Sequence, residues 1–99
     1  MNTHTDQYLQ YLVISDPRGK QIRGQVVYFQ PYKAQSQSQS AVVYVVTSEW
    51  LLAYGHKAVY KTPAQTISGR FTPHGYSTAA NHWLLMGRFD VTDEQAHIS

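Results

Sequence analysis

A chain of 99 residues with 42% hydrophobic residues, no cysteine and a net charge of +2 has the size of one ordinary domain, and a single domain with one core is expected over residues 1–99. The lack of cysteine excludes disulfide staples, thiolate metal ligands and cysteine nucleophiles, and no run approaches the roughly 18 consecutive apolar residues of a membrane-spanning helix. All eight basic residues lie between Arg18 and Arg88, where only Glu49 opposes them, so the body of the domain is more basic than its total charge.

The start of the chain, Met1 to Gln7, has neither a basic segment nor an apolar one and so does not read as a secretory signal. With the cysteine-free composition this makes a cytoplasmic location the expectation. Tyr8 to Ile14 is rich in β-branched and aromatic residues and reads as a first strand. Asp16, Pro17 and Gly19 then occupy the first, second and fourth positions of a type I turn. From Gln21 to Gln30, period two places Ile22, Gly24, Val26 and Tyr28 on one face and Arg23, Val27 and Phe29 on the other, a second strand forming a hairpin with the first.

Pro31 offers no amide to a ladder and is expected to end that strand. Lys33 to Ser40, a run of Gln and Ser with nothing to bury, reads as a flexible polar loop. Ala41 to Thr47 is continuously apolar and β-branched, the pattern of a central strand covered on both sides. Ser48 to Gly55 carries a capping serine and a stopping glycine, and reads as a short helix or a strand corner. Lys57 to Lys61 is a further strand, with Ala58 and Tyr60 on one face, and Thr62 to Gln65 combines helix-start signals in a segment only long enough for a connection.

The segments Ile67–Phe71 and Leu85–Phe89 share the pattern Gly-Arg-Phe and suggest an antiparallel hairpin in which Phe71 faces Trp83, Gly69 faces Leu85 and Ile67 faces Gly87. The intervening Pro73 to His82 has a loop's composition, and residues 93–99 hold almost nothing apolar and are expected to fray. Val43, Val45, Ile67, Phe71, Leu85 and Phe89 are the expected core.

This order of at least five strands predicts a mainly β fold, a small OB-like or SH3-like barrel with at most one or two short helical turns. In an OB-like barrel Gln30–Ser40 and Pro73–His82 would flank one binding face. Five histidines stand in no ligand spacing, and neither a nucleophile elbow nor a phosphate-cradling glycine loop is present, so no metal, cofactor or enzymatic activity is expected.

Eight tyrosines and two tryptophans among spread-out cations point instead to binding. The first function expected is single-stranded DNA or RNA binding, with Arg23, Lys33, Lys61, Arg70 and Arg88 contacting phosphates and Tyr28, Tyr32, Tyr60 and Tyr76 stacking on bases. The alternative is a non-enzymatic protein-interaction module, such as an inhibitor, adaptor or assembly factor, that uses exposed tyrosines and a sheet edge and is possibly homodimeric.

Overall fold

A computed structural model describes residues 10–33, 39–79 and 81–92. Six strands form: β1 (Tyr11–Ser15), β2 (Gln21–Lys33), β3 (Gln39–Thr47), β4 (His56–Lys61), β5 (Thr66–Ala79) and β6 (His82–Val91). They close into a barrel in the order β1-β2-β3-β6-β5-β4, with every neighbouring pair antiparallel. Two three-stranded meanders, β1–β3 and β4–β6, are thus joined edge to edge. The domain is all-β, an OB-like small barrel with one strand more than the five of the OB fold. No helix is described, so none is long and apolar enough to cross a membrane.

The local signals that specify hairpins act as the residue types require. The Gly19 amide donates to the Asp16 carbonyl over 2.9 Å, and the Asp16 carboxylate accepts from the amides of Arg18 (2.9 Å) and Lys20 (2.8 Å). Gly19 itself takes a φ of 87°, a left-handed conformation glycine adopts without steric cost. Between β4 and β5 the Thr62 hydroxyl accepts from the amides of Ala64 and Gln65, a capped turn rather than a helix. Asn81, with a φ of 65°, provides the left-handed residue at the tight end of the β5–β6 hairpin.

Inward-facing residues fill the barrel. Val43, Val45, Ile67, Phe71, Leu85 and Phe89 are all buried, and Leu51, from the connection between β3 and β4, is buried with them. That connection, residues 48–55, is neither helix nor strand corner. It is held by the Thr47 hydroxyl donating to the Glu49 carbonyl (2.7 Å) and by the buried His56 donating from Nε2 to the Leu52 carbonyl (2.9 Å).

Several sequence-based expectations are corrected. First, β2 does not stop at Pro31 but continues to Lys33, opposite Gln39 of β3. Among the described residues β1 pairs with β2 as far as Gln25, with one further bond from the Val26 amide to the Gln10 carbonyl, so Pro31 has no described neighbour on that side whose ladder its missing amide would break. The expected loop at 33–40 therefore yields Lys33, Gln39 and the fully buried Ser40 to the ladder, while 34–38 and the tail at 93–99 lie outside the described residues. Second, a β-bulge between Val26 and Tyr28 inserts one residue into β2 and reverses its inside–outside parity. Phe29 now packs against the core and Tyr28 faces outward, the reverse of strict alternation.

Third, Phe71 faces Phe89 and Gly69 faces Val91, because β5 runs on through the region read as a loop, with a second bulge between Pro73 and Gly75. Beyond Phe71, β5 has no pairing to β4, so the missing amide of Pro73 interrupts no ladder among the described residues. Fourth, the connections after β2 and after β5 open at opposite ends of the barrel, so Gln30–Ser40 and Pro73–His82 do not flank one site as loops. β3 is also not covered on both sides, since Val42 retains 38% exposure on the outer face.

Candidate functional surfaces

Period two and the ladder registers assign each outward side chain to a side of the barrel. On the β2–β1–β4–β5 side, one row runs Arg23, Val13, Val59, Ser68 and the next Gln25, Tyr11, Lys61, Thr66, while Lys57 stands opposite Arg70. This side carries Arg23, Lys57, Lys61 and Arg70. Arg23 lies over the Tyr11 ring, 3.9 Å from its centroid, and both line a hollow of about 400 Å³ with Gln10, Gln25, Val46 and His82. Arg70 turns its Nη1 to the Gly55 carbonyl over 2.9 Å. None of the four cations pairs with a carboxylate of the described residues, whereas Asp16, Glu49 and Asp90 are each engaged elsewhere, by Arg18, Lys20 and Arg88.

The β2–β3–β6 side has the opposite character. Its rows run Tyr28, Tyr44, Met86, then Gln30, Val42, Arg88, then Tyr32, Ser40, Asp90. The Tyr28 and Tyr44 rings lie 4.9 Å apart, and Tyr32, Val42, Tyr44, Met86 and His74 border a hollow of about 460 Å³. The charges here are balanced. Arg88 Nε donates to Asp90 Oδ2 over 2.8 Å, and the other Asp90 oxygen accepts from the Ser40 hydroxyl over 2.7 Å. The hydrogen bond and charge of Asp90, with a smaller contribution from nearby Tyr32, raise the Arg88 pKa above its usual value.

At the barrel end where β5 turns into β6, Trp50, Tyr76 and Trp83 pack ring against ring at 4.5, 5.0 and 5.5 Å. They occupy one another's space, which leaves no cage between them for a ligand. Tyr54 stacks on the buried His56, and no group of three described His, Asp or Glu residues is placed to hold a metal ion.

The nine residues expected to bind nucleic acid are thereby distributed. Arg23, Lys61 and Arg70 share the basic side, while Tyr28, Tyr32 and Arg88 share the apolar side. Tyr76 belongs to the end cluster, on a strand rather than in a loop, and the Lys33 backbone lies at the tip of β2. Tyr60 is 5% exposed, stacked on Phe29 at 4.2 Å with its hydroxyl donating to Gln10, so it has no face to offer a base. Sequence reasoning missed Lys57 and Tyr11 as members of the basic side. Lys57 stands one alternation step before Val59 and Lys61, and that period was the signal for it.

No protein-family model, curated protein or solved structure matches the chain.

Proposed function

We propose that the domain binds single-stranded nucleic acid along the outer side of β2, β1, β4 and β5. A barrel fold does not by itself imply this activity. The observation that carries the reading is the placement of charge: Arg23, Lys57, Lys61 and Arg70 stand together with no described carboxylate paired to any of them. Such a surface attracts phosphates and releases their counterions. Arg23 over Tyr11 adds a planar guanidinium and a ring beside a hollow, the combination on which an unpaired base stacks.

This reading is narrower than the one drawn from sequence. Tyr28, Tyr32, Tyr60 and Tyr76 drop out, and Arg88 is already neutralised by Asp90. The test is fluorescence anisotropy with a labelled single-stranded oligonucleotide across a salt series. Replacing Arg23 and Lys61 together by Ala is expected to weaken binding and flatten the log–log salt slope by about 1.4, at roughly 0.7 for each of two phosphate contacts. Arg88→Ala is expected to leave the slope unchanged. Wild-type protein that fails to bind at low salt, or an Arg88→Ala effect as large as that of the double variant, refutes the proposal. The apolar outer face of β2, β3 and β6 supports a second reading, as a protein-interaction module.

A further inference from the structure

We infer that Tyr54 is a second stacking station of the basic side, taking another unpaired base of the strand that reaches Arg23 and Tyr11; the inference rests on the nucleic-acid reading of that side. Tyr54 lies in the connection between β3 and β4, one residue before Gly55. One face of its ring lies against the His56 imidazole, with centroids 4.9 Å apart and planes 21° from parallel. His56 is buried and donates from Nε2 to the Leu52 carbonyl, so the support beneath the ring is fixed. Yet Tyr54 is 48% exposed, and a ring covered on one face presents that area on the other. A base stacking there meets a ring already held in place, which lowers the cost of ordering it.

The charge around the ring points to a nucleotide. Lys57 and Arg70 stand opposite each other on β4 and β5 beside this connection, and no described carboxylate pairs with either. Arg70 runs close along Gly55: its Nη1 donates to the Gly55 carbonyl over 2.9 Å, and a Cβ at position 55 would stand 2.7 Å from its Cδ. Glycine at this position therefore lets the Arg70 side chain lie one residue from Tyr54. An open ring face beside two unpaired cations matches what a single-stranded nucleotide offers, a base and a phosphate. The other half-exposed rings lack one of these parts. Trp50 and Tyr76 pack on each other and on Trp83, and Tyr28 stands on the face where Asp90 neutralises Arg88.

The spacing of the two stations suits one strand. Val59 shares a row with Arg23 across β1, and His56 lies three residues before Val59 on β4. Two strand spacings across and that rise along β4 separate the stations by roughly 15 Å. They therefore receive different bases, within the about 4–16 nucleotides that one OB barrel holds.

The test is anisotropy with a labelled single strand of about 12 nucleotides, and with an abasic strand of the same length that keeps the phosphates and lacks the bases. Tyr54→Ala is expected to weaken binding of the normal strand roughly 5- to 140-fold, the loss of one base stack. The salt slope is expected to stay as in wild type, because the ring neutralises no phosphate. The abasic strand is expected to bind wild type and Tyr54→Ala equally. Tyr54→Phe is expected to bind as wild type. Tyr54→Leu, which keeps apolar cover over His56 but has no ring, is expected to show the alanine variant's loss, so the result does not depend on the alanine variant folding. Tyr28→Ala, which removes a ring of similar exposure from the other face, is expected to change nothing. Wild-type protein that binds no strand at low salt refutes the nucleic-acid reading and this inference together. Wild-type binding that survives Tyr54→Ala and Tyr54→Leu undiminished overturns the role of Tyr54 alone, as does an equal loss on the abasic strand or an equal loss from Tyr28→Ala.

Discussion

Alanine at two glycines of the β5–β6 hairpin should change stability in opposite directions. A Cβ added at Gly87 would come within 2.2 Å of the Thr72 carbonyl oxygen and 2.9 Å of the Pro73 Cα, where ordinary contact begins at 3.4 Å. The neighbouring backbone would have to retreat by 3.4 − 2.2 = 1.2 Å. Overpacking of this kind costs about 1–3 kcal/mol, and the upper half of that range applies because the obstacle is backbone in a closed barrel. The smaller entropy of the unfolded chain offsets about 0.4–1 kcal/mol, leaving Gly87→Ala destabilised by roughly 2 kcal/mol. At Gly75 the nearest atom to the added Cβ is the flexible Met86 Cε at 3.6 Å, an ordinary contact, and its φ is not in the left-handed region. There only the unfolded-state effect remains, so Gly75→Ala should gain about 0.4–1 kcal/mol. Urea denaturation followed by circular dichroism measures both, and for a domain of this size 1 kcal/mol moves Tm by about 4–8 °C. A Gly87→Ala variant with a midpoint at or above wild type would refute the close approach of β5 and β6 that closes the barrel.

Burial raises the Tyr60 hydroxyl pKa above 10.0, so the folded state favours the neutral phenol. Its contribution to stability is complete below pH 10 and disappears as pH rises through the raised value. Wild type should therefore lose stability in alkali more steeply than Tyr60→Phe, measured as urea midpoints from about pH 9 to 11. Tyr60→Phe itself is expected to cost about 0.5–1.5 kcal/mol at neutral pH for the lost hydrogen bond to Gln10, with no change in oligonucleotide binding. Asp16 behaves in the opposite sense. Desolvation pushes its carboxyl pKa up, but the Lys20 and Arg18 amides and the Arg18 charge outweigh this and hold it below 3.8. Its contribution is present above that value and is lost as pH falls through the lower folded one. Hydrogen exchange in the β1–β2 turn is expected to accelerate there relative to neutral pH, corrected for intrinsic rates, and Asp16→Asn should lessen the change.

Alternation and turn chemistry carry most of the fold. Val43, Val45, Ile67, Phe71, Leu85 and Phe89 are legible as core because each sits at an every-second position in a β-branched or aromatic run. The Asp16 and Thr62 turns are legible because their side chains hydrogen-bond backbone amides within four residues. Register is a different matter. The bulges at Val27 and His74 have no local sequence signature, yet each shifts every later pairing on its strand by one residue. Pro31 and Pro73 read as strand breakers only if both edges of their strands are paired. Among the described residues neither proline has a strand on its second side, and that depends on how far the pairing of β1 and β4 extends.

The outer faces were least legible for the same reason. Tyr32 and Lys33 are neighbours in sequence, and Ser68 and Arg70 are close to Phe71, but contact on a barrel is decided around its circumference, where residues far apart in the chain share a row. The bulge in β2 is the decisive device. Before it, Arg23 and Gln25 face outward beside β1; after it, Tyr28, Gln30 and Tyr32 face outward beside β3. One inserted residue lets a single strand serve two surfaces of opposite chemistry, with cations on one flank and apolar rings on the other. Because Val42 and Tyr44 belong to β3 whereas Lys57 and Lys61 belong to β4, occupation of either surface leaves the other open.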